Sequence, residues 1–119
     1  MIELRLTEEQ ANIVSSACEF YARIQMGQFQ EIGYNCPKMP GALGYDEVTA
    51  AWLALRKCIY PELKGPGHSY GIGKFDTADK AYDVHQVIRY VMGDKREPFS
   101  YCQLPVCRRI PDADKEDLG

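Results

Sequence analysis

The chain has 119 residues, of which 45% are hydrophobic, a formal net charge of −3 and five cysteines. This length predicts one domain rather than two independent cores. No apolar stretch approaches the ~20 residues that a membrane-spanning helix requires. The first residues also lack the apolar segment of a secretory signal peptide. We therefore expect a cytoplasmic protein that makes no contact with membranes.

The negative charge is concentrated at the C-terminal end. Residues 111–119 contain four acidic side chains and one lysine, so residues 1–110 are neutral. Tight binding to duplex nucleic acid depends on many contacts between basic side chains and phosphates. We therefore expect residues 1–110 to form one compact domain that does not bind duplexes, and residues 111–119 to form an acidic, flexible tail.

The first predicted elements are a short strand and a long helix. Apolar and charged residues alternate over residues 2–6, which is typical of a strand. Thr7 and Gln10 have the spacing of a capping box, which predicts that the first helix begins there. The apolar stripe continues through Gly27 to Gly33, and Gly27 indicates a kink or the close approach of another segment.

Two more helices are predicted after loops rich in glycine and proline. Asp46 is placed to cap the second helix, which ends before Pro61. Its apolar face consists of Val48, Ala51, Trp52, Leu55, Cys58 and Ile59. Asp76 or Thr77 caps the third helix, over residues 78–92, with Ala81, Val84, His85, Ile88, Val91 and Met92 facing inward.

Residues 99–103 alternate weakly and predict antiparallel pairing with residues 2–6. The predicted fold is therefore mainly α, of the α+β class. It has three helices, the first one long, and a small two-stranded antiparallel ribbon near the termini.

The five cysteines are predicted to be free thiols, because the cytoplasm is reducing. Cys102 and Cys107 are separated by four residues, which is not the two-residue gap of a zinc knuckle. Together with His68 and His85 they would supply four zinc ligands, and that alternative stays open. The main prediction is a protein with no metal and no cofactor.

The loop at residues 64–74 contains four glycines and directly precedes the third helix. Free amides at a helix start favour an anion, because the helix dipole is positive there. The alternative is a purely structural connector with glycines in its turns. The candidate ligand-binding residues come from this loop and from the two flanking helices: Arg23, His68, Ser69, Tyr70, Lys74 and Arg89. If the helices pack together, Arg23 either pairs with Asp83 or lines a polar pocket with Arg89.

Catalysis has little support in the sequence. The chain has only two histidines and none of the common nucleophile or metalloenzyme motifs. His85, on a partly apolar helix face, is predicted to be a hydrogen-bonded core residue. We therefore expect a protein that is not an enzyme.

Two segments, YARIQMGQFQEI at 21–32 and YGIGKFDTADKAYDVHQVIRY at 70–90, carry a resemblance. They resemble a family of short accessory proteins encoded by tailed phages and prophages, over roughly residues 2–32 and 66–92. The resemblance implies a setting, the cytoplasm of an infected host, and a role in countering host defence. It implies no site residues.

The leading hypothesis is binding without catalysis, in which the protein sequesters a small anionic signal of nucleotide type. A homo-oligomer is expected, because a short chain gains an enclosed pocket by sharing it between subunits. The alternative is a protein–protein inhibitor of a host defence effector such as a nuclease, for example an anti-CRISPR. Its contact surface would include residues 33–45. A second alternative is a structural or regulatory part of the phage.

Overall fold

The computed structural model describes residues 1–111, which contain four helices. They are α1 (Glu8–Gln25), α2 (Glu31–Asn35), α3 (Tyr45–Ile59) and α4 (Asp76–Val91). Residues 1–111 contain no strand. The mainly helical class is therefore confirmed, whereas the three-helix count and the ribbon are not supported. Except for Pro111, the predicted acidic tail lies outside the described residues.

Helix α1 begins as the sequence predicts and ends earlier. The Thr7 hydroxyl accepts from the Gln10 amide at 3.1 Å, and the Gln10 side chain accepts from the Thr7 amide at 3.0 Å. The helix ends before Gly27, which has a φ of +88°. An ideal Cβ on Gly27 would lie only 2.4 Å from Leu63 Cδ1. The predicted long helix to Gly33 is therefore two helices, because the positive φ at Gly27, which favours glycine, ends α1 rather than bending it.

The packing of α1 against α4 forms the main helix pair of the described chain. Its fully buried centre is small, with Ala22, Met26 and Ala78 in contact. The rings of Tyr70, Phe75 and Tyr82 pack around this centre. Small side chains therefore form the centre of this helix pair, and large aromatic side chains enclose it.

Side chains of α4 replace the predicted ribbon. The Gln86 side-chain amide donates to the Phe99 carbonyl and accepts from the Phe99 amide, both at 2.9 Å. The buried Asp83 carboxylate accepts the amides of Tyr101, Cys102 and Gln103 at 2.8–2.9 Å. The backbone of 99–103 therefore bonds to a helix, and it needs no strand as a partner.

Helix α3 is attached to the rest of the molecule through the buried Arg56. Its guanidinium donates to the His68 carbonyl at 2.9 Å and also to the Gly65 carbonyl. Arg56 also lies 5.4 Å from the centre of the Trp52 ring. These two residues are the buried ones of α3. The helix therefore fixes the loop that leads to Tyr70.

Most of the apolar face that the sequence predicts for α3 is exposed. Val48, Ala51, Leu55, Cys58 and Ile59 are exposed, and Trp52 is buried. The reason is that α3 turns its polar Arg56 toward loop carbonyls, so the apolar stripe beside it faces outward.

The predicted caps of the second and third helices are also wrong. The N-cap of α3 is Gly44, and Asp46 lies within the first turn. The N-cap of α4 is Phe75, with Asp76 as the first helical residue. Neither cap residue makes a side-chain hydrogen bond. Across the described residues, no helix has the length and apolar character needed to cross a membrane.

Candidate functional site

An open cleft of about 340 Å³ lies where α1 ends beside the glycine-rich loop. Its lining joins one basic side chain to three tyrosines: Arg23, Met26, Gln28, Ser69, Tyr70, Gly71, Ile72, Tyr82 and Tyr101. The Tyr70 amide donates to the Met26 carbonyl at 2.8 Å, which ties the loop to the end of α1. The Gly27 turn therefore positions this cleft.

Arg23 is the basic group of the cleft, and it is held by polar neighbours. Its Nη1 donates to Gln28 Oε1 at 3.0 Å and lies 3.5 Å from a Glu31 carboxylate oxygen. Its Nη2 lies 3.7 Å from a Glu19 oxygen. The buried Nε of Arg23 has no hydrogen-bond partner within the described part of the chain. Both terminal nitrogens of Arg23 therefore contact side chains of the protein, and two carboxylates compete with any ligand for its charge.

The structure brings three of the six predicted ligand-binding residues to this cleft, namely Arg23, Ser69 and Tyr70. The Lys74 ammonium lies 5.2 Å from the centre of the Tyr70 ring, in a cation–π contact that places it beside the cleft. His68 and Arg89 are not part of the lining. His68 Nδ1 instead accepts the Lys64 amide at 2.9 Å.

The expected pairing of Arg23 with Asp83 does not occur, because the Asp83 carboxylate already accepts three backbone amides. Arg23 and Arg89 do belong to one polar cluster. Glu19 contacts Arg23 and also lies 3.1 Å from His85 Nε2, which is 3.4 Å from Arg89 Nη1. Arg89 is therefore connected to Arg23 through other side chains and stands outside the cleft.

The start of α4 already holds a carboxylate of the protein. The Gly73 amide donates to both oxygens of Asp79, at 3.0 and 3.2 Å. Asp79 is buried within the first turn of the helix. The Asp79 carboxylate therefore lies at the start of α4, where the glycine-rich loop predicted that a bound anion would lie. The anion contacts of the cleft must therefore come from side chains such as Arg23 rather than from this loop amide.

Ser15, His85 and Glu19 form a cluster between α1 and α4, in which Ser15 and His85 are buried and Glu19 is half-buried. The Ser15 hydroxyl lies 2.8 Å from His85 Nδ1 and donates to the His85 carbonyl at 3.1 Å. Burial lowers the pKa of His85, while the Glu19 carboxylate opposes this shift. Arg23 and Arg89 also favour the neutral ring. The prediction that His85 is a hydrogen-bonded core residue is therefore confirmed.

This cluster contains a serine, a histidine and an acid, which are the residue types of a hydrolytic triad. Here, however, Ser15 and His85 are only 7% exposed each, and neither lines the cleft. A nucleophilic hydroxyl has to reach its substrate, and this one is bonded to the backbone of the facing helix. The cluster therefore joins α1 to α4.

The five cysteines are free, and the proposed zinc ligands are not brought together. Cys102 donates to Asp76 at 3.4 Å, and residues 1–111 contain no group of three or more His, Cys, Asp or Glu placed to hold a metal ion. Desolvation raises the pKa of the thiols of Cys18, Cys102 and Cys107, which favours their protonated forms. The zinc alternative is not supported.

The sequence pattern did not identify Tyr82 and Tyr101 as cleft residues. Their rings lie 5.9 Å apart in the structure. Tyr101 was assigned to the ribbon, and only the bonds between Asp83 and residues 101–103 bring it to the cleft. Ser15 and Glu19 carried no signal in the sequence, because their partner His85 is 70 residues away from Ser15.

Comparisons with known proteins identified no relative of this chain. No family model matches the chain, and no similar protein was found among curated proteins or solved structures.

Proposed function

We propose that this protein binds without catalysis and sequesters a small anionic ligand of nucleotide type in the Arg23 cleft. The setting of the proposal is an accessory protein that counters host defence during phage infection. That setting comes from the resemblance of residues 21–32 and 70–90 to short phage-encoded proteins. The binding mode comes from the cleft.

The observation that carries the proposal is that Arg23 and three tyrosines line one open cleft. A guanidinium recognises phosphate through paired N–H donors, and a flat aromatic ring stacks on a nucleobase. A cleft of about 340 Å³ is at the small end of known ligand sites. It accommodates one nucleotide unit, so a larger ligand would remain partly exposed.

The carboxylates around Arg23 lead to opposite predictions for the removal of Glu31 and the removal of Arg23. A phosphate that reaches Arg23 has to replace the Glu31 contact, which is 3.5 Å long. Removing the Glu31 charge should therefore tighten binding of an anion about two- to fivefold, because a partly exposed ion pair is worth only about 0.2–1 kcal/mol. Removing Arg23 should weaken binding at least tenfold, since a hydrogen bond to a charged group contributes about 1.5–3 kcal/mol.

Calorimetric titration with cyclic dinucleotides and cyclic ADP-ribose species tests the proposal. The variants are Arg23→Met, Glu31→Gln and, as the matched control, Lys95→Met, which removes an exposed positive charge away from the cleft lining. We expect Arg23→Met to weaken binding, Glu31→Gln to tighten it and Lys95→Met to leave it unchanged. The absence of heat with every ligand of the panel would reject the proposal.

The closed Ser15–His85–Glu19 cluster supports the absence of catalysis, because its hydroxyl is buried and bonded to a carbonyl. The bound ligand should be recovered intact after long incubation, as chromatography of the released nucleotide would show. Turnover of the ligand would contradict this part of the proposal.

A second candidate function is inhibition of a host effector through protein–protein contact. It is favoured by the large exposed side chains of residues 33–45, namely Tyr34 at the end of α2, Met39 and Leu43 in the connecting segment, and Tyr45 at the start of α3. Exposed tyrosines are typical of interface hot spots. A stoichiometric host protein recovered by pull-down, lost with Tyr34→Ala and kept with Arg23→Met, would favour this candidate over nucleotide binding.

A further inference from the structure

The Glu19 carboxylate lies between a buried histidine and the arginine of the cleft. One of its oxygens, Oε2, is 3.1 Å from His85 Nε2 and 3.7 Å from Arg23 Nη2. Arg23 lines the open cleft, whereas His85 is buried and lies outside the lining. A single carboxylate oxygen therefore connects a buried imidazole to the guanidinium of the candidate binding site.

The neighbours of His85 determine which ring nitrogen carries the proton of the neutral form. Nδ1 lies 3.0 Å from the Ser15 backbone carbonyl, which can only accept a hydrogen bond, so Nδ1 carries the proton. The Ser15 hydroxyl donates to the His85 carbonyl. Nε2 lies 3.4 Å from Arg89 Nη1, and a guanidinium can only donate, so Nε2 bears the lone pair. The next proton therefore binds at Nε2, where it faces the Glu19 carboxylate.

Burial and neighbouring charges keep the His85 ring neutral near pH 7. The titratable and charged groups that face the ring come from both helices: Glu19 and Arg23 on α1, and Tyr82 and Arg89 on α4. Burial lowers the pKa of His85, and both arginines act in the same direction, whereas the Glu19 carboxylate opposes them. Asp94 contacts Arg89 Nε at 3.6 Å, and Arg96 holds the pKa of Asp94 well below its usual range. His85 therefore takes up its proton below pH 6.5, while Asp94 stays ionised.

Protonation of His85 changes the charge that Arg23 faces. While the ring is neutral, Glu19 Oε2 is a negative neighbour of Arg23 and competes with any anion in the cleft. Once the ring is protonated, Nε2–H donates a charge-assisted hydrogen bond to the same oxygen and offsets most of its charge. The positive imidazolium also attracts an anion bound at Arg23. Both effects have the same sign, so an anion binds more tightly when His85 is protonated.

We propose that Glu19 is a positioning residue through which protonation of His85 tightens the binding of an anion at Arg23. The inference rests on the proposed function, because the anion is the phosphate group of the ligand in the cleft. The affinity should rise about two- to fivefold between pH 7.5 and pH 5, since the ion pair that is weakened is partly exposed. By linkage, the bound ligand raises the pKa of His85 by the same factor, about 0.3–0.7 pH units.

Calorimetric titration with cyclic di-AMP from pH 7.5 to pH 5 measures this coupling, because the charge of its phosphodiesters is constant over the range. The dissociation constant of the unchanged protein should fall about two- to fivefold on acidification. Glu19→Gln should bind tightly already at pH 7.5 and change little, whereas Glu9→Gln, at an exposed position of the same helix, should behave like the unchanged protein. His85→Gln should bind equally at every pH, whereas His68→Gln should keep the pH dependence.

Nuclear magnetic resonance measures the same coupling without a ligand. The chain has two histidines, so His68→Gln identifies the ring signals of His85. The Nε–H signal of Arg23 should shift with the same midpoint as the His85 ring in the unchanged protein. This shift should disappear in Glu19→Gln, because the shared carboxylate is then absent.

The outcomes distinguish the coupling from the proposed function. An affinity for cyclic di-AMP that is equal at pH 7.5 and pH 5, or an Arg23 signal that does not follow His85, would overturn the coupling and leave the binding site in place. The absence of heat at every pH would count against the proposed function, and with it against the effect on the ligand, even where the Arg23 signal follows His85. Circular dichroism confirms that each variant is folded. If His85→Gln unfolds the chain, the unchanged protein and Glu19→Gln decide, because Glu19 is only half-buried.

Discussion

Replacing Asp83 by asparagine tests how residues 101–103 are attached to α4. The Asp83 carboxylate has no exposed surface and accepts three backbone amides at 2.8–2.9 Å. Asparagine keeps the shape of the side chain, but it has one acceptor oxygen and an NH₂ group that donates. The carbonyl can serve the two amides of Cys102 and Gln103, and the NH₂ group then faces the amide of Tyr101.

The expected loss of stability follows from these bonds. One charge-assisted hydrogen bond is lost, which costs about 1.5–3 kcal/mol, and two become neutral bonds of roughly half the strength. The sum is about 3–6 kcal/mol, a large part of the 5–15 kcal/mol that stabilises an ordinary domain. The melting temperature should fall by at least roughly 12 °C.

Urea unfolding followed by circular dichroism measures this loss, and hydrogen exchange locates it. If residues 99–103 detach before the rest unfolds, the amides of 101–103 will exchange faster even where the global loss is smaller. Glu9→Gln is the control, because Glu9 is an exposed carboxylate in the first turn of α1, on another helix. It should leave the urea midpoint nearly unchanged. A loss below about 1 kcal/mol for Asp83→Asn, with unchanged exchange at 101–103, would refute the reasoning.

Three further perturbations have defined outcomes. Gly27→Ala should destabilise the protein by at least about 2 kcal/mol in urea unfolding, because φ is +88° and the new Cβ meets Leu63 at 2.4 Å. Arg56→Lys should cost about 1–3 kcal/mol and speed hydrogen exchange in residues 65–68, because an ammonium replaces the fork that spans two carbonyls. The melting temperature should fall as the pH drops below about 6.5, since burial lowers the pKa of His85 and the unfolded chain takes up the proton first. His85→Gln should flatten this part of the pH profile.

Each of these has a control or a contrary result. Gly67→Ala adds a Cβ in open space at a glycine without positive φ, so it should change stability by only a few tenths of a kcal/mol. Equal losses for Gly27→Ala and Gly67→Ala would show that the turn is not the cause. Unchanged exchange in residues 65–68 with Arg56→Lys would contradict the anchoring role of the guanidinium. A melting temperature that rises on acidification would contradict the lowered pKa of His85.

Local patterns predicted part of the helical architecture. The capping box at Thr7 and Gln10 and the three longer helices depend on neighbours in the chain, and sequence spacing records such neighbours directly. The apolar stripe also predicted one helix through Gly27 to Gly33, whereas α1 ends before Gly27. Three of the six predicted ligand-binding residues lie in one cleft, because Arg23 and the segment of Ser69 and Tyr70 flank the same turn. The nucleotide, the phage setting and the homo-oligomer stay predictions.

The errors of the sequence analysis came from long-range partners. The alternation at 99–103 indicated a strand, but Gln86 and Asp83 satisfy its backbone from a helix. The glycine loop indicated an anion site, but Asp79 supplies the carboxylate at the helix start. In both cases a polar side chain of the protein makes the hydrogen bonds that the local pattern predicted for another group, a second strand in one case and a bound anion in the other.

The apolar patterns show the same division between local and long-range information. Composition and spacing predict a neutral body that is mainly helical, with an apolar stripe on each long helix and an arginine close to Gly27. Tertiary contacts determine which stripe is buried: α1 packs against α4, whereas most of the α3 stripe is exposed. The reason is that helical spacing records which residues share a face, whereas burial depends on which surface the folded chain brings opposite that face.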